Sequence, residues 1–231
     1  MEKTIRIAIT GPESTGKSAM ARHLAEYFKV PCVPEFARFY LERYGPEYTQ
    51  NDIIKIARAQ MAYENSYSRL MPHLLICDTD LLVCHIWAEF VFSSCPEEIL
   101  KLEETNSYHF THLMNTDLRW EPDPLREHPN HRNELFEIYR KKLDEQNRAY
   151  TIISGLGSER FENAKNALTN FCRNKSIVIC WDELLHSSLI DNTQAHLYNI
   201  GACSKINAPD ERVGDSLWYF RMQNTTDYLH K

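Results

Sequence analysis

The sequence has 231 residues, enough by surface-to-volume scaling for a self-sufficient core that buries roughly 70% of the chain's surface. Hydrophobic residues make up 43% and charged residues 25%, and no apolar run approaches the ~20 residues of a membrane span, so a membrane-spanning protein is excluded. The formal charge of -6, without any cluster of Lys and Arg able to track a phosphate backbone, argues against general nucleic-acid binding.

Met1 to Thr4 run directly into a short apolar pattern with no extended signal-peptide core, so the expected location is the cytoplasm. The next six residues, Ile5 to Thr10, read as a buried strand, and Lys17 to Phe28 as a helix with Met20, Leu24 and Phe28 on one face. Val30 to Val33 reads as a second strand, Phe36 to Tyr44 as a short helix and Asn51 to Leu70 as a long one. Leu74 to Cys77 gives a third strand, followed by helices over Leu81 to Phe90 and Pro96 to about Thr105, then a fourth strand over Phe110 to Met114. Three prolines, Pro122, Pro124 and Pro129, keep Asp117 to Pro129 irregular, and this stretch is expected to be a loop or lid. A helix from His131 to Gln146, a fifth strand from Tyr150 to Ser154 and a helix from Ser158 to Cys172 complete the alternation, which predicts a parallel α/β sheet covered on both faces.

From about Lys175 the rhythm breaks. Ser176 to Cys180, His196 to Ile200 and Leu217 to Arg221 read as strands and Asp182 to Leu189 as a helix, so the expected division is a core over 1–174 and a C-terminal appendage over 175–231. Trp181, Trp218, Tyr219 and Phe220 give the appendage aromatic surface suited to packing on the core or to homo-oligomer formation. The seven cysteines are odd in number and scattered without a C-x-x-C pair, which fits neither a disulfide framework nor a zinc ribbon. His109 with His112 and His128 with His131 lack partner cysteines at ligand spacing and do not make a metal site.

Gly11-Pro12-Glu13-Ser14-Thr15-Gly16-Lys17-Ser18 matches the phosphate-binding loop pattern G-x-x-x-x-G-K-[ST] at every fixed position, between an expected strand and helix. Its glycines let backbone amides curl around a phosphate of ATP, Lys17 reaches the transferable phosphates and the Ser18 hydroxyl ligates Mg2+. Asp78 ends the third strand, where a second Mg2+-directed carboxylate belongs, whereas Asp80 reads as the cap of the next helix. Glu35 follows the second strand with Arg38 one turn on, so Glu35 and Asp78 flank the same crevice if the sheet is an open parallel one. The lid supplies Arg126, with Arg119 and Arg132 nearby, as a cation able to close over a phosphoryl group, and Trp120 as a packing or base-stacking residue.

Gly11 to Ser18, Pro34-Glu35-Phe36-Ala37-Arg38, Cys77-Asp78-Thr79-Asp80, the lid from Trp120 to Pro129 and Ser154-Gly155 with Arg160 together resemble the AAA-like P-loop kinases that include the ribosylnicotinamide kinase domain of bacterial NadR. The resemblance covers about residues 4–172 and implies a three-layer P-loop fold with a parallel five-stranded, nucleoside-kinase-like core, and transfer of phosphate from ATP to the 5′-hydroxyl of nicotinamide riboside or a related nucleoside. It implies that Gly11, Glu13, Ser14, Thr15, Gly16, Lys17, Ser18 and Arg160 hold ATP, that Ser18 and Asp78 hold the metal, and that Glu35, Arg38 and Asp78 face the acceptor. Lys17, Asp78, Glu35 and Arg126 are then the catalytic set, with Glu35 or Asp78 as base. Where that kinase clamps its nicotinamide ring between a tryptophan and a tyrosine, this sequence has Pro34 and Ala62, and Phe36, Tyr63 or Tyr67 are the nearby substitutes. No H-x-G-H motif precedes the loop, so adenylyl transfer by that route is not expected. The alternative reading is a nucleotide-responsive binding module with vestigial catalysis.

Overall fold

The computed structural model describes residues 4–175 and Ile177. Strands β1 (Ile5–Thr10), β2 (Cys32–Val33), β3 (Leu74–Asp78), β4 (Phe110–Met114) and β5 (Tyr150–Ile153) form a single sheet in the order β2-β3-β1-β4-β5, every pairing parallel. The helices between and after them are α1 (Lys17–Phe28), α2 (Phe36–Tyr44), α3 (Gln50–Ser68), α4 (Leu81–Phe92), α5 (Glu97–Thr105), α6 (Arg132–Glu145) and α7 (Gly157–Asn174). This is the expected three-layer α/β architecture.

All five residues of β3 and all five of β4 are buried, because parallel strands covered on both faces read as continuous runs. Alternation along the strands divides the core. Ile7, Ile9, Leu74, Ile76, Phe110 and Met114 meet Met20, Leu24 and Phe28 of α1 and Ala164, Leu168 and Cys172 of α7. On the opposite face Leu113 packs with Leu82 and Ile86 of α4 and Leu135, Tyr139 and Leu143 of α6. A separate cluster joins Ile53, Ile56 and Ala57 of α3 to Leu81, Cys84 and Ala88 of α4 and Ile99 of α5.

β2 is shorter than its expected Val30 to Val33. Prolines 31 and 34 flank it and lack N–H donors, while the Val30 amide donates instead to the Ala25 carbonyl at 3.0 Å, so only Cys32 and Val33 pair with β3. The α3 face also carries a buried polar group. Glu64 accepts from the Tyr108 hydroxyl (2.8 Å) and the Asn106 amide (2.8 Å), and the Arg6 guanidinium lies 3.6 Å away. Burial nonetheless outweighs those partners and pushes the Glu64 carboxyl up to about 7. On the α1 face, His112 is wholly buried against Phe110 without a hydrogen-bond partner, and burial pushes its imidazole down to about 3.

The elements expected beyond residue 175, and hence the appendage and its boundary, lie outside the described residues. Among the described residues no helix is long and apolar enough to cross a membrane.

Candidate active site

The loop between β1 and α1 is shaped by two glycines in the left-handed half of backbone space. Gly11 has φ 131°, and a Cβ there would stand 2.9 Å from the Met114 carbonyl oxygen; Gly16, at φ 78°, precedes α1. Gly16 offers no side-chain cap, and the Met20 amide donates to the Gly16 carbonyl at 3.0 Å. The amides ahead of Met20 in the first turn therefore have no intrahelical partner, which is the arrangement that receives an anion. Within the loop, the Thr15 hydroxyl (2.8 Å) and the Lys17 ammonium (2.9 Å) both donate to the Pro12 carbonyl.

Asp78, at the end of β3, is 6% exposed. Its alternation with Leu74 and Ile76 directs it to the α1 face, where the Ser18 hydroxyl and the charges of Lys17 and Arg22 stabilise its ionised form. Burial, followed by the negative charge of Glu35, outweighs them and raises its proton affinity above that of an ordinary aspartate. Asp78 Oδ1 is buried without a hydrogen-bond partner. Ser18, Lys17, Asp78 and Glu35 thus form one neighbourhood, at the carboxyl ends of β2 and β3.

Thr79 carries φ 81°, a left-handed conformation that costs a non-glycine residue about 1–3 kcal/mol, and its amide donates to the Ile9 carbonyl at 3.1 Å. Asp80 occupies the N-cap position of α4 but makes no side-chain capping bond, contrary to expectation. It accepts the Thr10 hydroxyl at 2.8 Å and lies 2.8 Å from Arg148. An ion pair and a strand-end hydroxyl out-compete the helix amides for its carboxylate.

Glu35 takes the N-cap position of α2, also without a side-chain capping bond. Arg38 reaches Asp123 of the lid at 3.1 Å and Glu42 at 3.6 Å. Its guanidinium therefore ties α2 to the lid rather than forming a close pair with Glu35.

The lid is irregular from Asn115 to His131, as the prolines dictate, and it is fastened to the phosphate-binding loop. The Glu13 carboxylate accepts the amides of Glu127 (3.0 Å) and His128 (3.2 Å). The Ser14 hydroxyl accepts the Glu121 amide (2.9 Å) and Arg126 (3.3 Å), and Arg126 also donates to the Glu121 carbonyl. Arg132 donates to the carbonyls of Ser14 (3.0 Å) and Leu118 (2.9 Å), with its guanidinium over Trp120 at 5.9 Å from the ring centre. From the other side, the Tyr48 hydroxyl donates to Glu127 at 2.6 Å and accepts from Trp87 at 2.9 Å.

Arg160 is 4% exposed, and its two terminal nitrogens donate to Asp117 and to the carbonyls of Gly155 (3.2 Å), Thr15 (3.1 Å) and Asn115 (2.8 Å). It braces the phosphate-binding loop through Thr15. Pro34 is half-buried and Ala62 is exposed, while the rings of Phe36 and Tyr63 meet edge-on at 5.3 Å. Sequence reasoning missed Tyr48, Asp123, Glu127 and Arg148, whose partners are distant in the chain and carry no motif. The usable signal for the first three was a lid rich in carboxylates, with Arg38 and a tyrosine earlier in the chain as partners.

A model of the AAA domain family matches residues 6–160. No curated protein matches the chain significantly. Among solved structures, NadR in complex with NAD and AMP-PNP superposes with a TM-score of 0.58 at 22% identity, covering 73% of this chain and 50% of that one. The chain thus spans about half the length of the NadR chains it matches. Thymidylate kinase from Ehrlichia chaffeensis gives 0.55 at 10% identity over 72% of this chain and 97% of that one. Deoxyadenosine kinase from M. mycoides, with dCMP and a flexible dCDP bound, gives 0.53 at 14% identity over 72% of this chain and all of its own. The shared feature at these identities is the nucleoside-kinase-like fold, and the family match spans well over half of the sequence: the chain belongs to the AAA domain family of P-loop proteins, with a NadR-like core.

Proposed function

We propose that the chain is an ATP- and Mg2+-dependent cytoplasmic small-molecule kinase acting on the 5′-hydroxyl of a nucleoside, with nicotinamide riboside as the first acceptor to test. The observation that carries this reading is the convergence of Lys17, Ser18, Asp78 and Glu35 at one end of the parallel sheet, beside a glycine-shaped loop.

The residues present fit nucleotide and metal. Gly11 and Gly16 leave room that a Cβ would take, and the buried, unpartnered Asp78 Oδ1 beside the Ser18 hydroxyl is the donor set a hard cation takes. Bound MgATP would supply the transferable phosphoryl group with its charge partly neutralised. Lys17, at present on the Pro12 carbonyl, is long enough to turn its ammonium to the phosphates. Ser18 and Asp78 would hold the metal. Asp78, whose proton affinity is raised by burial and by the charge of Glu35, or Glu35 itself orients the acceptor hydroxyl and takes its proton. Arg126, already against the loop at Ser14, shields the transferring group from water. Arg38 and Glu35 face the acceptor's ribose, and the lack of aromatic rings at Pro34 and Ala62 predicts weak selection among bases.

The test is a panel of nucleosides and vitamins incubated with the protein and MgATP, read by mass spectrometry and by acceptor-dependent ADP release. Phosphorylated nicotinamide riboside is the expected product. Efficient transfer to another acceptor alone would overturn the substrate, and nucleotide binding without transfer to any acceptor would overturn the kinase reading.

A further inference from the structure

Asp78 and Asp80 sit two residues apart, and in a straight strand both would point to the α1 face. They do not. Asp78 stays beside Ser18 on that face, whereas Asp80 accepts the hydroxyl of Thr10, which shares the opposite face with Arg6. The left-handed Thr79 between them is what separates the two carboxylates. Such a backbone conformation persists only where surrounding contacts over-determine it.

Those contacts are buried. Asp80 is wholly inaccessible and Arg148, from the turn before β5, lies 2.8 Å from its Oδ2. Arg148 is itself fixed by donating to the Thr111 hydroxyl of β4 at 2.7 Å and by lying over the Tyr108 ring at 5.0 Å. Thr10, the other partner of Asp80, is the last residue of β1 and directly precedes Gly11.

We infer that the buried Arg148–Asp80 pair is a positioning device for the phosphate and metal site: it grips the root of the P-loop at Thr10 and holds the Thr79 turn that presents Asp78 to Ser18. Arg148 and Asp80 touch no reacting group in this scheme. They set the distance between loop and carboxylate from the far side of the sheet. The inference rests on the proposed nucleotide site, and its test separates the two.

The mildest probe is Thr10→Val in the full chain, which removes only the hydroxyl and leaves the ion pair intact. Arg148→Lys keeps charge without the planar fork, and Arg148→Met removes both. Each is compared with the wild type by melting temperature, by affinity for a fluorescent ADP analogue with Mg2+ and in EDTA, and by kcat and acceptor KM. For Thr10→Val, which takes the hydroxyl donor from the buried Asp80 Oδ1, the expected result is a modestly lower melting temperature, an approximately tenfold loss of the Mg2+-dependent gain in affinity, unchanged affinity in EDTA, and a tenfold lower kcat at constant acceptor KM. Arg148→Lys should fall between wild type and Arg148→Met. A Thr10→Val protein with wild-type Mg2+ dependence would overturn the inference, whatever its melting temperature. A wild type that binds MgADP but transfers nothing would overturn the proposed function while leaving the Mg2+-dependent affinities to decide the clamp.

Discussion

Asp123 of the lid meets the Arg38 guanidinium of α2 at 3.1 Å, so the segment bonded to the P-loop is fastened at the same time to α2. The pair is part-exposed, with side-chain accessibilities of 20% and 42%, and pairs of this kind contribute about 0–1 kcal/mol. Its effect therefore falls on the lid rather than on the whole fold. On the proposed function, an acceptor engaging Arg38 would compete with Asp123 and so couple acceptor binding to lid movement.

Asp123→Asn should leave the melting temperature unchanged and raise amide hydrogen exchange across residues 117–129 several-fold. Exchange at the wild-type rate would mean that Glu13 and Ser14 hold the lid without help from α2.

Lys17→Ala should abolish detectable phosphoryl transfer, a loss of at least about 100-fold, because the ammonium stabilises charge that develops in the transition state. Among the described residues its ammonium bonds the Pro12 carbonyl and no carboxylate, so thermal stability should change little. Turnover at the wild-type rate in this variant would dismiss the P-loop as the catalytic site.

Arg160→Met should behave in the opposite way. Removing the buried guanidinium takes a donor from three carbonyls and from the part-exposed Asp117, which keeps the Gly155 amide; the loss is about 1–3 kcal/mol, and the P-loop loses its brace at Thr15. A lower melting temperature together with weaker nucleotide binding is expected. Weaker binding with undiminished stability would instead assign Arg160 direct contact with the nucleotide.

His112 and Glu64 oppose each other in pH. The His112 imidazole, held down to about 3, favours the unfolded state once that state protonates, so its stabilising share is present above the ordinary histidine range near 6.5 and is lost as pH falls toward 3. Glu64, pushed up to about 7, does the reverse: its share is present below the ordinary glutamate value near 4.3 and is lost as pH rises through 7. Between about pH 4.5 and 6.5 the two slopes offset one another. Relative to wild type, His112→Phe should make stability fall more steeply with rising pH in that window, and Glu64→Gln should make it rise. Denaturant midpoints measured from pH 4.5 to 7.5 would show both slopes, and parallel curves for all three proteins would rule out this assignment.

The order of elements and the P-loop were legible because both are local in sequence: apolar runs of strand length, helical spacing, and eight contiguous residues with a fixed chemistry. Glu35 and Asp78 were legible one step further on, since parallel topology brings strand ends together. The role of Asp80 was not. Its partner Arg148 stands far along the chain, and a carboxylate ahead of a helix reads locally as a cap. The lid's irregularity followed from its prolines, yet its fastening to Glu13, Ser14 and Tyr48 depends on backbone amides and on a fold that brings distant loops together. β2 was overestimated because an apolar pattern does not reveal that prolines on either side remove the donors a longer strand needs.

The central place of β1 has a consequence for the birth of the molecule. Ile5 pairs with Leu74 and Ile7 with Phe110, so β1, made before the other strands of its sheet, has no neighbour until about 70 residues later, and no second one until about 100 residues later. At ~5–20 residues per second this is a wait of roughly 4–20 s for an apolar segment with both edges open. Helix α1, formed from adjacent sequence and packed on Ile7 and Ile9, is local shelter available to it in that interval. Substitutions on the α1 face that weaken its packing on β1 should therefore lower the yield of soluble protein during synthesis by more than their effect on the finished fold, whereas equal losses of stability in α6 or α7 should not.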